Sequence, residues 1–316
     1  MSELRFHPFL NEWVITATHR QDRTFFPPDD FCPLCPTTNA DLPTEIPESS
    51  FEIAVFENRF PSLQSPPTPT SIETTGFPRI LPSEGVCEVV VYTPHHNDTF
   101  SDLTLSQVTR VCQVWKDRFL DLIQRPAIKY VYIFENKGKE IGVTLSHPHG
   151  QIYAYPFIPN VIQTRINAAI AFQNSENRTL AQAWLDFEIE DSSRVIEENE
   201  AFVCLVPYFA RYPYEIHVVP KAPIQTLAQM DDKLLQQFAE MLLNSARRLD
   251  RLFGFSMPYI LSLFQHDHPA TRFSAEFTPP YRTKDKLKYL AGSEAGCGVF
   301  INDVLPEEAA HRLKNA

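Results

Sequence analysis

The sequence predicts an α+β fold in which one unit, a strand, a helix and then antiparallel strands, is built twice. Three observations carry this expectation. Short runs rich in β-branched and aromatic residues recur along the chain, two long helical patterns each follow such a run, and the spacing repeats: Glu88 to Glu215 and His149 to Glu276 are both 127 residues apart. A chain of 316 residues holds one large core or two ordinary ones. The predicted division is 1–190 and 191–316.

The first eighty residues carry twelve of the 27 prolines, so stiff irregular loops separate the strand candidates 12–19 (EWVITATH) and 51–60 (FEIAVFENRF). From Gly85 the pattern becomes regular. GVCEVVVYTP reads as a strand, and Thr104 with Gln107 forms a capping box for a helix. That helix places Val108, Val111, Cys112, Trp115, Phe119 and Leu122 on one apolar face. IKYVYIFENKG and QIYAYPF follow as strands. After an acidic linker, FEIEDSSRVIEENE, the order starts again with AFVCLVPY and YEIHVVPK. Asp231 caps a second helix faced by Leu234, Phe238, Met241, Leu242, Leu249 and Leu252, and PYILSLFQ and FSAEFTPP complete the set.

Composition excludes several classes. With 43% hydrophobic and 21% charged residues the chain is neither disordered nor a charged coiled coil. The formal net charge of −11 opposes a bulk grip on nucleic acid, although a local anion pocket remains compatible with it. No apolar run reaches the ~18 residues of a membrane span, and the N-terminus lacks the apolar core of a signal peptide, so a cytoplasmic protein without a membrane partner is expected. Six cysteines in a chain of this length do not make a disulfide scaffold.

Two motifs carry chemistry. In SHPHGQIYAYP, His147 and His149 lie two apart and share a face in extended backbone, Pro148 stiffens the segment, Gly150 permits close approach, and Gln151 can donate to an oxygen held beside His149. The arrangement suits a nucleophile presented to a phosphoryl group; two histidines making ordinary hydrogen bonds at a strand entrance have the same spacing. In DFCPLCP, Cys32 and Cys35 are spaced to give two thiolates to one tetrahedral metal, with His96 and His147 as candidates for the remaining ligands and His95 as the substitute for His96. A pair of free loop thiols is the competing explanation.

Taken together, EWVITATHRQDR, CPLC, NRFP, FENKGKEIG, SHPHGQIYA, VPYFARYPYEIHVVP and AGSEAGCG resemble the galactose-1-phosphate uridylyltransferase family of the histidine-triad superfamily, over nearly the whole chain. The resemblance implies duplicated histidine-triad-like units, an antiparallel half-barrel sheet with outer helices, and a homodimer. It implies a uridylyl transfer from UDP-glucose to galactose 1-phosphate, in which His149 is the nucleophile and Gln151 contacts the transferring phosphoryl oxygens. It further implies a zinc site made by Cys32, Cys35, His96 and His147. Arg20, Arg23, Asn136 and Thr144 match positions facing phosphates or the covalent intermediate, and Asn58 and Phe60 match part of a uridine pocket. Lys288 and Glu294 match the region that reaches the sugar, partly across the dimer interface.

Two departures accompany the match. Arg59 stands where an acidic residue is expected, which opens a nucleotide-sugar phosphorylase or an adenylyltransferase as an alternative activity. The second metal site of some family members corresponds here to Arg165, Phe264, Ser274 and Glu276, so one metal per chain is expected and the second site is expected to be lost. His266 and His268 lie nearby in a shifted position, as solvent-exposed histidines, acceptor contacts or a rearranged metal site.

Overall fold

A computed structural model describes residues 2–23, 31–74 and 76–316, without the side chains of residues 22 and 23. Its N-terminal part contains β1 (Ser2–His7), β2 (Glu12–Ala17), β3 (Ala54–Glu57), β4 (Ile80–Pro82), β5 (Val86–Val91), α1 (Leu105–Ile123), β6 (Tyr130–Lys137) and β7 (His149–Tyr155). Then come α2 (Asn160–Glu176), α3 (Leu180–Asp191), β8 (Val195–Glu198), β9 (Phe202–Leu205), β10 (Ile216–Pro220) and α4 (Asp232–Phe253). The chain ends with β11 (Tyr259–Phe264), β12 (Ser274–Thr278), the β13–β14 ribbon (Tyr281–Thr283, Lys286–Leu287) and α5 (Pro306–Lys314).

Among the described residues, nine strands form one antiparallel sheet in the order β3-β5-β7-β6-β11-β12-β10-β9-β8. Read outward from the β6–β11 junction, each side runs through the same series, β6-β7-β5-β3 and β11-β12-β10-β9, which is the duplication in spatial form. Helices α1 and α4 start at the predicted caps: Thr104 Oγ1 accepts from the Gln107 amide and Asp231 Oδ1 from the Leu234 amide. Both lie on one sheet face, where Trp115, Phe119, Phe238 and Leu242 meet Val90, Val131, Ile152, Leu261 and Phe277 in the main core. The α+β expectation therefore holds.

Strand register refines the repeat. Val91 pairs with His149, and His217 pairs with Glu276. Glu276 thus keeps the 127-residue relation to His149, whereas His217 is the counterpart of Val91 at a separation of 126. Glu88 faces α1 and accepts from Arg118, while Glu215 lies beside His217, so the equal spacing of those two glutamates is not a structural equivalence. The acidic stretch 187–200 is also more ordered than a linker. It closes α3 and forms edge strand β8, because Glu188 and Ile196 are buried.

Candidate active site

Strand alternation builds the site. On β7, Ile152 and Ala154 enter the helix-side core, which turns His149, Gln151 and Tyr153 to the opposite face. On β6, Val131 and Ile133 do the same for Asn136. A cavity of ≈ 740 Å³ opens there, walled by these strands, by Asn58, Arg59 and Phe60 after β3, and by the segment 141–145 that contains Thr144. Arg20, from the turn after β2, also lines it and reaches toward the Tyr153 hydroxyl at 3.5 Å. The Arg23 side chain lies outside the described residues.

His149 Nδ1–H donates to the His147 carbonyl at 2.7 Å. This contact fixes the tautomer and leaves Nε2 with a free lone pair. Burial lowers the His149 pKa, against the opposing pull of that carbonyl, so the neutral imidazole is favoured. Gln151 is 8% exposed, and its Oε1 is buried without a partner among the described residues. Asn58 Oδ1 accepts from the Phe60 amide at 2.9 Å and shapes the rim, where Arg59 pairs with Glu45 at 3.1 Å while remaining largely exposed.

Four predicted metal ligands converge next to this cavity: donor atoms of Cys32, Cys35, His96 and His147 all lie within 4.8 Å of one another. Cys35 Sγ is 3.6 Å from both His96 Nδ1 and His147 Nδ1, and Cys32 Sγ is 3.8 Å from His147 Nδ1. Tetrahedral zinc with its usual bond lengths separates sulfur and nitrogen ligands by ~3.6 Å, so the donor set fits that ion. His147 Nε2–H donates to the Thr93 carbonyl at 2.7 Å, which turns Nδ1 toward the thiols, as an outer-shell partner does for a bound histidine. Burial, followed by the neighbouring Cys32, pushes the Cys35 thiol up to about 11, so a cation is what would ionise it.

The expectation of one metal site per chain, with a second one lost, is overturned. Glu215, His217 and Glu276, all buried, form a second candidate cluster with donor atoms within 4.8 Å. His217 Nε2 is 2.7 Å from Glu215 Oε1 and 3.5 Å from Glu276 Oε2, and Arg165 Nη2 pairs with Glu276 Oε1 at 2.5 Å. The matched positions revealed only one of these residues, Glu276; the other two come from the start of β10, which pairing register brings alongside. The sequence did hold a signal, since Glu215 and His217 are two apart at a strand entrance, like His147 and His149. The cluster borders a second cavity, of ≈ 330 Å³, between α2, α3 and β10–β12. His266 lines that cavity, whereas His268 Nδ1 accepts from the Ala270 amide and stays in the loop.

Lys288 and Glu294 are brought together rather than to the large cavity. Their side chains are nearly buried and pair at 2.9 Å, and Lys288 also donates to the Ile301 carbonyl. Lining residues that the motifs did not indicate include Pro43, Thr44, Glu45, Val143 and Leu145. They sit on irregular segments with no periodicity to place them. Among the described residues no helix is long and apolar enough to cross a membrane.

Residues 1–159 match the profile of the galactose-1-phosphate uridyl transferase N-terminal domain, and residues 166–316 that of the C-terminal domain. The chain is 40% identical to the galactose-1-phosphate uridylyltransferase of Thermotoga maritima, covering 99% of this chain and 98% of that protein. It is 33% identical to the Streptomyces lividans enzyme of the same name, covering 99% of this chain and 86% of the other. A solved uridylyltransferase structure superposes with a TM-score of 0.89 at 29% identity, over 99% of this chain and 97% of that one.

Proposed function

The chain belongs to the galactose-1-phosphate uridylyltransferase family, and from that premise we propose that it carries uridylyl from UDP-glucose to galactose 1-phosphate on His149. The observation that carries the proposal is the His149 imidazole, held by its Nδ1–H donation so that a neutral Nε2 faces a polar cavity beside Gln151 and Asn136.

In the first half-reaction the Nε2 lone pair attacks the α-phosphorus of UDP-glucose. An N–P bond forms as the bond to the bridging oxygen breaks, and glucose 1-phosphate leaves. In the second, a phosphate oxygen of galactose 1-phosphate attacks the same phosphorus, the N–P bond returns its electrons to Nε2, and UDP-galactose departs. The His147 carbonyl supports the positive charge that develops on the ring. Gln151 is assigned to the transferring phosphoryl oxygens, Arg20, Arg23, Asn136 and Thr144 to the phosphates, and Asn58 and Phe60 to the base.

A zinc held by Cys32, Cys35, His96 and His147 would supply rigidity to the segment that ends in the nucleophile. These parts are assigned to a unit spanning 1–190, and the degenerate copy to 191–316. Lys288 and Glu294 are assigned to the hexose end; because they do not line this chain's own cavity, their assignment goes with a homodimer in which the segment reaches the neighbouring site. The setting proposed is the cytoplasm.

Stoichiometric enzyme mixed with UDP-glucose alone should release one glucose 1-phosphate per site, and His149→Ala should release none. Turnover by His149→Ala would refute the covalent route. The exposed Arg59 at the rim favours one second reading, a phosphorylase or adenylyltransferase. Discharge of the loaded enzyme by inorganic phosphate as fast as by galactose 1-phosphate, or equal loading by ADP-glucose, would select it.

A further inference from the structure

Beneath the nucleophile strand, on the sheet face away from the cavity, a buried tyrosine crosses under Gly150. Tyr92 follows β5, is fully buried, and packs edge-on against Phe100 and Trp115 at 5.8 and 6.0 Å. A Cβ built on Gly150 would lie 2.1 Å from the Tyr92 hydroxyl oxygen and 3.0 Å from Cζ. Gly150 is not among the residues with positive φ, so backbone conformation does not demand a glycine there. The hydroxyl does.

Glu135 lies on β6, on the far side of β7, and is 3% exposed. Its Oε1 accepts from the Tyr259 hydroxyl at 3.2 Å, while Oε2 and the Tyr92 hydroxyl are each buried without a hydrogen-bond partner among the described residues. The same Gly150 Cβ would lie 3.1 Å from the carbonyl oxygen of Phe134, the neighbour of Glu135, so the hydroxyl and β6 approach one another under Gly150, and each of the two groups shifts the other's titration. A buried phenol without a hydrogen bond is costly, and a phenylalanine would fill nearly the same space. The polar atom therefore has a positional role. It reaches from the β5 side, under the one side-chain-free residue of β7, toward the carboxyl on β6.

We infer that Tyr92 is a positioning residue for the nucleophile: its hydroxyl, passing under Gly150 toward Glu135, sets the height of the segment from His149 to Gln151. The inference rests on His149 being the group that receives the nucleotide. Gly150 is the residue between the nucleophile and the side chain assigned to the phosphoryl oxygens, and displacement of a reacting group by ~1 Å can cost ~100-fold in rate.

The test is single-turnover formation of nucleotidyl-enzyme from UDP-glucose, with thermal unfolding measured on the same samples. Tyr92→Phe should slow the chemical step by ~10-fold with donor KM changed by less than ~2-fold. Gly150→Ala should lose ~100-fold or more in the native background. In the Tyr92→Phe background, where the 2.1 Å obstruction is gone and only the 3.0–3.1 Å contacts with the ring and the Phe134 carbonyl oxygen remain, the same substitution should recover at least ~10-fold of that loss. Glu135→Gln, which keeps a polar partner for the hydroxyl, should retain more of the rate than Glu135→Leu. A Tyr92→Phe enzyme as fast as wild type, or a Gly150→Ala defect of equal size in both backgrounds, overturns the inference. Should Gly150→Ala fail to fold, Tyr92→Phe and the Glu135 pair decide it. A wild type that forms no nucleotide on His149 overturns instead the reading on which the inference rests.

Discussion

His149 and Gln151 alternate with Gly150 on β7, so two side chains face the cavity while the residue between them contributes only backbone. Gln151 presents the carboxamide whose donor suits a phosphoryl oxygen as charge builds on it. Gln151→Ala is therefore expected to lower kcat by ~100-fold, in the range seen when one oxyanion donor is removed, with a smaller effect on donor KM; steady-state kinetics check this. The pH profile follows from His149. Burial holds its pKa below the ordinary histidine value, so the lone pair to which the attack is assigned survives mild acidification, and the acid limb of kcat/KM should fall at a pH below ~6.5. An acid limb centred well above that value would assign the nucleophile's titration to another group. The HPHGQ motif was legible at this scale because all its members are neighbours in sequence. His217 was not, because its partner Glu276 lies on another strand and only register joins them.

Among the elements, α3 shows how buried charge fastens a helix. Glu188 is fully buried; it accepts from Arg194 at 2.7 Å, from Trp184 Nε1 at 2.9 Å and from the Tyr208 amide at 2.9 Å. Arg194 also pairs with Glu307 on α5, so one guanidinium ties α3 to the C-terminal helix. Arg194→Met leaves the Glu188 carboxylate without its cation and should destabilise the fold by about 3–5 kcal/mol in denaturant unfolding. Strand β6 makes a second prediction. Burial pushes the Glu135 carboxyl up to about 7 from 4.5. Between those values the native state holds a proton that the unfolded chain has released, so its contribution is present below pH ~4.5 and is lost as pH rises through ~7. Relative to Glu135→Gln, the wild type should lose roughly 3 kcal/mol across that window, and parallel stability curves for the two proteins would refute it. The strands and the α1 and α4 caps were readable from periodicity and capping residues, whereas the 187–200 stretch looked like a linker. Its acidic residues include Glu188, and the cation that neutralises it became visible only once the chain had folded.

For the molecule as a whole, the metal clusters and the exposed C-terminal segment set the remaining tests. Cys35→Ser removes one donor from the four-ligand cluster and should lower bound zinc and thermal stability together, read by elemental analysis and calorimetry. Retention of all bound zinc would show that the cluster is a thiol pair. Tyr289, Leu290, Val299, Ile301 and Leu305 are exposed apolar residues flanking the Lys288–Glu294 pair. A dimer that covers them should sediment at twice 36.3 kDa, and Val299→Asp with Ile301→Asp should shift it to monomer with loss of transfer.

The sequence alone determined the duplicated α+β order, the two helix starts, the histidine pair and the two loop cysteines, because each is a local pattern written within a few turns or a single strand. The tertiary structure decided what local patterns cannot hold. Strand pairing placed His217 beside Glu276 and made a second cluster; sheet faces separated Glu88 from Glu215; and part of the cavity wall came from loops without periodicity. It also decided that Lys288 and Glu294 meet each other rather than the cavity of their own chain. These are contacts between residues far apart in sequence, and their geometry is set by the packing of the whole sheet and its helices.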